Sequence, residues 1–95
     1  MKKPNPHPIT TITGRAYNIR AWELESRPVW GVSMALATDE LGTITATADQ
    51  DGANASPGWV EGIPNGARVR ATGHLPPLRR GRERIMELVS LEVLP

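Results

Sequence analysis

The sequence predicts an all-β domain, a small five-stranded barrel with Greek-key connections, and three observations favour it. Apolar and polar residues alternate with a period of two over most of the chain, in stretches rich in Thr, Val and Ile. Turn-forming Gly, Pro, Asn and Asp divide these stretches into five runs, with the longest connection between the third and the fourth. Closing the sheet into a barrel removes its free edges, which suits a chain of only 95 residues.

The first two strands are predicted over residues 9–24 and 29–38, with a turn between them. In the first strand, alternate residues from Ile12 to Ala16 share one face. The alternation then breaks near Asn18, which predicts a β-bulge or bend at this point. In the second strand, even-numbered residues from Trp30 to Thr38 are predicted to face the core, opposite a face of small residues.

The third strand is predicted over residues 43–48, after a hairpin turn at residues 39–42, with Ile44, Ala46 and Ala48 facing inward. Residues 49–66 form a long loop rich in Gly and Pro, in which only residues 56–60 suit a short helical turn. The Ser, Ala and Thr residues of the second and third strands are predicted to face outward.

The fourth strand begins after the turn at residues 64–66, and its odd-numbered residues from Val69 to Leu75 are predicted to face the core. The last run covers residues 84–94, where a high β-branched content favours a strand over a helix. Its predicted core positions are Ile85, Val89, Leu91 and Val93, whereas Met86 and Leu88 are predicted to face a partner.

The chain divides into a flexible, Pro-rich N-terminal arm over residues 1–8 and a single folded domain over residues 9–95. The arm has basic residues but no apolar stretch behind them, so it does not resemble a secretory signal. No apolar stretch approaches the length of a membrane span. The chain has no cysteine, and we therefore expect a cytoplasmic protein without disulfides or a cysteine-based metal site.

Charge is strongly segregated although the formal net charge is only +1. Residues 37–61 carry five acidic and no basic side chains, and residues 62–84 carry six arginines and one glutamate. Four of these arginines fall within residues 79–84, in the connection that precedes the last strand. An arginine-rich loop of this kind favours a polyanion-binding surface, with a solvated hairpin in which Glu83 neutralises its neighbours as the alternative.

Five strands, of which the first is long and bent, outline the OB-fold. The stretches GARVRATGHL (66–75) and GRERIMELVSLEVL (81–94) resemble the C-terminal half of bacterial single-stranded-DNA-binding proteins (SSB) and of primosomal PriB. The resemblance implies a glycine-led fourth strand, an exposed hairpin and a last apolar strand. It also implies a function, the binding of single-stranded nucleic acid. The chain departs from the family in lacking aromatic residues on the outward faces of the second and third strands.

A single-stranded nucleic acid, with DNA favoured over RNA, is therefore the predicted ligand, bound largely without sequence preference. The groove is predicted between the turn after the first strand and the hairpin before the last strand. Tyr17 and Trp22 are candidates to stack on bases, although Trp22 equally suits the core, as does Leu24. Trp59 is interpreted as either a plug over one barrel end or an exposed contact. The predicted phosphate-binding residues are Arg15, Arg20, Arg27, Arg68, Arg70, Arg79, Arg80, Arg82 and Arg84.

The alternative is a protein-interaction or oligomerisation module that binds no nucleic acid. The acidic and basic segments would then pair between copies, and Met86 and Leu88 would contact the partner of a homodimer. Neither hypothesis involves catalysis, because no nucleophile has a base at a recognisable spacing. The sequence indicates no metal site, no cofactor and no small-molecule substrate.

Overall fold

The computed structural model shows a closed barrel of five strands and describes residues 5–24, 29–49 and 62–95. The barrel order is β1-β2-β3-β5-β4, with β4 paired back to β1. β3 and β5 run parallel, and every other neighbouring pair is antiparallel. This topology confirms the predicted all-β OB-fold barrel. The strands are β1 (Ile9–Leu24), β2 (Val29–Thr38), β3 (Thr43–Asp49), β4 (Ala67–His74) and β5 (Ile85–Val93).

The predicted irregularity in β1 is present. The register with β2 shifts between Tyr17 and Arg20, and Asn18 lies in the left-handed region with φ 53°. Asparagine tolerates this conformation better than most residues. The backbone N–H of Asn18 donates to Oδ1 of Asn65 at 2.9 Å, so the loop before β4 supports the bulge. The bulge bends β1 so that its two halves can pair with β4 and β2 in turn.

The predicted turn between β2 and β3 is a hydrogen-bonded hairpin. The backbone N–H of Thr38 donates to the carbonyl of Gly42 at 3.0 Å, and the N–H of Leu41 donates to Oγ1 of Thr38 at 2.8 Å. Gly42 has φ 70°, a conformation that glycine adopts without strain. This tight turn sets the register in which the outer faces of β2 and β3 meet.

The core is purely apolar among the described residues and follows the predicted alternation on β2, β3 and β4. Alternate residues of these strands point into the barrel, and β1 contributes Ala16 with the partly buried Ile12 packed beside it. No buried polar side chain is present in the described ranges. The buried residues are Ala16, Val32, Met34, Leu36, Ile44, Ala46, Ala48, Val69, Ala71, Leu75, Met86 and Leu88.

From Ile85 to Val89, the prediction of which β5 side chains face the core is wrong. Met86 and Leu88 are completely buried, so they do not contact a partner, whereas Ile85, Val89 and Val93 are 46%, 38% and 47% exposed. Leu91 packs against the core as predicted, and Val93 lies on the same face, opposite the buried Val69, although its side chain is largely exposed.

The cause of this error is a bulge in the pairing of β4 with β5. Thr72 pairs with Ser90 and Gly73 pairs with Leu88, so Val89 has no opposite residue. An extra residue reverses the alternation at that point, and a period-two interpretation that runs through it assigns the wrong face.

Several predictions fall outside the described residues or side chains. The turn at residues 25–28, which includes Arg27, is one of them, and the helical turn at residues 56–60, which includes Trp59, is another. The structure also does not describe the side chains of Trp22, Leu24 and Trp30. Over residues 5–24, 29–49 and 62–95, the structure contains no helix long and apolar enough to cross a membrane.

Candidate functional site

The outer face of β2 and β3 carries only small and hydroxyl-bearing side chains near its centre. Ser33 pairs with Thr47, Ala35 with Thr45, and Ala37 with Thr43. Residues that are paired across neighbouring strands lie on the same face of a sheet, so these six side chains form one surface of low relief. We call this surface the small-residue face. It offers hydroxyl groups and open space to a flat ligand, and it has no aromatic ring.

β1 borders one side of the small-residue face. Arg15 pairs with Ala37, Tyr17 with Ala35, and Arg20 with Ser33. Arg15 and Tyr17 are both held against the loop before β4, since Nη1 of Arg15 donates to the carbonyl of Gly66 at 3.0 Å and the Tyr17 ring lies over the Gly66 backbone. Arg20 is exposed, and its side chain makes no hydrogen bond or ion pair with the described residues.

The connection between β4 and β5 borders the opposite side. Its base is joined to the middle of β3, because the backbone N–H of Thr45 donates to the carbonyl of Arg84 at 3.1 Å. The hydroxyl of Thr45 also donates to a carboxylate oxygen of Glu83. The tip turns at Gly81, which has φ 75°, and the N–H of Arg82 donates to the carbonyl of Arg79 at 3.1 Å. The arginine-rich hairpin, residues 75–84, therefore adjoins the small-residue face.

The four hairpin arginines divide into two kinds. Arg79, Arg80 and Arg82 are exposed, and their side chains have no hydrogen-bond or ion-pair partner in the described part of the chain. Arg84 is half-buried and donates from Nε to the carbonyl of Pro76 at 2.7 Å. Glu83 forms its hydrogen bond with Thr45 and no ion pair with these arginines. The hairpin thus presents three free cationic side chains and one that is anchored.

Arg68 and Arg70 lie on β4 and already have carboxylate partners. Nη2 of Arg68 lies 2.7 Å from Oδ2 of Asp39, and Nη1 of Arg70 lies 2.9 Å from Oε2 of Glu92. The hydrogen bond from Arg68, followed by one from Thr13, lowers the pKa of Asp39 from its ordinary value of 3.8. These pairs neutralise much of the charge that the sequence assigns to this strand face.

Of the two residues predicted to stack on bases, the structure describes the side chain of Tyr17 and only the backbone of Trp22. Tyr17 is half-buried at the border of the small-residue face, opposite Ala35. The backbone of Trp22 pairs with Gly31, two positions along β1 from Arg20. On β5, Glu87 pairs with Thr47 and adds a negative charge to the same end of the face.

His7 is a candidate site residue that sequence reasoning missed. With Pro76, Pro77, Arg79, Arg82, Glu83 and Arg84, it lines a pocket of about 270 Å³ beside the hairpin. The only sequence signal was an isolated histidine between two prolines in a segment predicted to be flexible. Its partners are some 70 residues away in the chain, so local patterns could not reveal the pocket.

The end of the N-terminal arm is hydrogen-bonded to β4 and β5. Nδ1 of His74 lies 2.8 Å from the carbonyl of His7, and the N–H of Leu75 donates to the carbonyl of Pro8 at 3.1 Å. Nδ2 of Asn5 donates to Oε2 of Glu87 at 3.2 Å. Residues 5–8 are therefore fastened to the barrel beside the hairpin. Across the three described ranges, no three His, Asp or Glu side chains converge as a metal site.

No family model and no curated protein sequence matches this chain. Solved structures do share its fold. The small single-stranded DNA-binding protein from Streptomyces coelicolor is 12% identical, with a TM-score of 0.63 over 94% of this chain and 94% of that one. The N-terminal domain of PriB from Thermoanaerobacter tencongensis, described as dimeric, is 16% identical, with a TM-score of 0.60 over 92% and 96%.

A third similar structure is SSBb, the second single-stranded DNA-binding protein of Mycobacterium smegmatis. It is 13% identical, with a TM-score of 0.55 over 92% of this chain and 88% of that one. At such identities the likeness establishes the fold. The chain is an OB-fold barrel with the architecture of SSB and PriB.

Proposed function

We propose that the protein binds single-stranded nucleic acid, DNA in preference to RNA, without catalysing a reaction. The observation that carries this proposal is the group of free arginines, Arg79, Arg80 and Arg82, on a hairpin joined to the small-residue face. Unpaired guanidinium groups meet phosphates without first breaking an ion pair. The fold gives independent support, since three structures that share it are proteins named for single-stranded DNA binding or as PriB.

The strand would cross the small-residue face between β1 and the hairpin. Phosphates would meet the free hairpin arginines on one side and Arg15 and Arg20 on the other, with Arg27 as a further contact. Tyr17 and Trp22 would stack on bases for about 1–3 kcal/mol each. The hydroxyls of the face both donate and accept hydrogen bonds, so they fit any base and favour binding without sequence preference. Arg68 and Arg70 would contribute less, because each is already paired with a carboxylate.

Two charge-matched double variants test the proposal by fluorescence anisotropy with a labelled oligothymidylate at low salt. Arg79→Ala with Arg80→Ala, and Arg68→Ala with Arg70→Ala, each remove two positive charges. The hairpin variant should bind about tenfold more weakly or worse, as expected for loss of charged phosphate contacts. The β4 variant should change affinity by less than about threefold, because its arginines form exposed ion pairs.

Circular dichroism confirms that both variants are folded before binding is compared. Equal weakening by the two variants would show that the site is not at the hairpin. Absence of binding by the unaltered protein at low salt would contradict the proposed binding of single-stranded DNA without sequence preference.

A homodimer is a second proposal, and exposed aliphatic side chains on β5 favour it. Ile85 and Val89 remain accessible on the outer face of β5 in the isolated chain, and a second copy would cover them. The PriB domain of the same fold is described as dimeric. Light scattering after size exclusion should give twice the chain mass of 10.3 kDa, and Ile85→Asp with Val89→Asp should return it to one chain. A monomer at about 100 μM would rule this contact out.

We also propose that the protein acts in the cytoplasm, since a chain without cysteine needs no oxidising compartment. Fractionation of cells that express it should recover the protein with cytoplasmic markers. Recovery in a membrane or extracellular fraction would contradict this assignment.

A further inference from the structure

The pocket beside the hairpin has a lining suited to one concentrated negative charge. Arg79, Arg82 and Arg84 contribute three guanidinium groups, His7 contributes an imidazole, and Glu83 is the single carboxylate. The hydroxyl of Thr45 already donates to Glu83. The lining therefore has an excess of donors and positive charge over acceptors.

The backbone around the pocket brings the residues that carry these groups together. The turn at Gly81 brings Arg79 and Arg82 together, since their backbones are linked by a hydrogen bond of 3.1 Å. Arg84 is anchored through Nε to Pro76, which leaves its terminal nitrogens available for a ligand. The bond between Nδ1 of His74 and the carbonyl of His7 holds the arm against the barrel, so His7 closes one side of the pocket.

The size of the site suits a small anionic group. Its volume is about 270 Å³, slightly below the range of about 300–1,000 Å³ that is usual for drug-sized ligands. A pocket of this size accepts a phosphate group with part of a sugar. An internal phosphodiester carries one negative charge, whereas a phosphomonoester carries between about 1.5 and 2 near neutral pH.

We propose that this pocket binds the terminal phosphomonoester of a nucleic-acid strand. The inference rests on the proposed binding of single-stranded nucleic acid and adds a preference for strand ends that carry a phosphate. Arg79 and Arg82 clamp the phosphate oxygens, Arg84 adds donors from the base of the hairpin, and His7 donates from the arm. The rest of the strand continues from the pocket onto the small-residue face.

Competition with one labelled oligothymidylate of about 15 nucleotides tests the preference. The unlabelled competitors carry a 5′ phosphate, a 3′ phosphate, no terminal phosphate, or a 5′ phosphate esterified with a methyl group. Either the 5′-phosphorylated or the 3′-phosphorylated strand should compete about tenfold better than the unphosphorylated strand. This is the effect of one added charge-assisted contact. The methyl ester should lose most of this advantage, because it restores the single charge of a diester. The 5′ and 3′ competitors identify which end is bound.

Two arginines of the same hairpin provide matched variants. Arg82 lines the pocket and Arg80 does not. Arg82→Ala and His7→Ala should remove the difference between phosphorylated and unphosphorylated strands. Arg80→Ala should weaken both strands equally and preserve their ratio.

The outcomes separate this inference from the proposed function. Salt-sensitive binding with equal affinity for all four competitors would overturn the end preference and leave the proposed function intact. A preference that survives both Arg82→Ala and His7→Ala would overturn the assignment to this pocket. Failure of every oligonucleotide to bind would overturn both proposals.

Discussion

Gly14 and Gly73 lie where neighbouring strands approach too closely for a side chain. A Cβ atom built on Gly14 would lie 2.8 Å from the Cα of Thr38, and one on Gly73 would lie 2.9 Å from the Cα of Leu88 and press on the Glu87 carbonyl. The obstructing atoms belong to the backbone, so they cannot move aside without opening the barrel. These glycines are required by packing, in contrast to the loop glycines with positive φ.

Gly73→Ala should therefore destabilise the fold by about 3 kcal/mol or more, as overpacking against a fixed backbone does. Gly62→Ala is the control, because Gly62 has φ 84° and open space around it. Gly62→Ala should lower the free energy of unfolding by only about 1–2 kcal/mol, the strain of an alanine in the left-handed backbone conformation. Urea denaturation measures both, and equal costs would contradict the close approach of β4 and β5.

Asp39 links acid stability to the contact between the β2–β3 turn and β4. The Arg68 guanidinium, and then the Thr13 hydroxyl, hold the pKa of Asp39 below 3.8 in the folded chain. The unfolded state therefore takes up a proton at higher pH than the folded state does. The stabilisation is fully present above pH 3.8 and is lost as the pH falls through the folded pKa.

Asp39→Asn should be less stable than the unaltered protein near pH 6, and the difference should shrink below pH 3.8. Urea unfolding across a pH series measures the difference. The effect should be small because the pair is exposed and screened by salt. A difference that stays constant down to about pH 2 would contradict a role for ionised Asp39.

Arginines that look alike in the sequence have different environments in the barrel. Arg68 and Arg80 both belong to the basic segment, but only Arg68 faces a carboxylate, and that carboxylate is 29 residues away in the chain. The residue types of the site could thus be predicted from composition. Which charges remain free could not, because pairing depends on contacts across strands.

At the scale of elements, strand positions were predictable and strand faces only partly so. Bounds for β1 and β2 follow from alternation and turn residues, and Asn18 marks the bulge in β1 directly. The bulge at Val89 carries no comparable signal, because valine is an ordinary strand residue. It results from the pairing of β5 with β4 and is visible only in three dimensions.

Truncation at two neighbouring positions of β5 tests this bulge. Leu88→Ala should cost about 2–5 kcal/mol, because Leu88 is fully buried and its loss leaves a cavity. Val89→Ala should cost less than about 1 kcal/mol, since that side chain is partly exposed. Chemical denaturation distinguishes the two. If Val89→Ala destabilised the protein more than Leu88→Ala, β5 would instead alternate without a bulge.

On the scale of the whole molecule, closing the barrel assembles a surface from distant parts of the chain. The arm at His7, the small-residue face and the hairpin meet only because β3 pairs with β5 and β4 pairs with β1. Closure also brings Asp39 of the acidic segment to Arg68 of the basic one. The charge separation seen in the sequence is therefore partly cancelled, and the free positive charge is concentrated on the hairpin.

This distribution predicts how affinity for an oligothymidylate depends on salt. Because the formal net charge is only +1, long-range attraction is weak and local contacts between arginines and phosphates must supply most of the electrostatic binding. On a single strand, the three free hairpin arginines contribute about −2 to the slope of log K against log salt concentration, and Arg15, Arg20 and Arg27 would add to it.

Arg80→Ala should reduce the magnitude of that slope by about 0.7, whereas Arg70→Ala, whose arginine is paired with Glu92, should leave it nearly unchanged. Anisotropy titrations at four or more salt concentrations measure each slope. A slope near zero, or one altered equally by the two variants, would mean that the hairpin arginines do not neutralise phosphates.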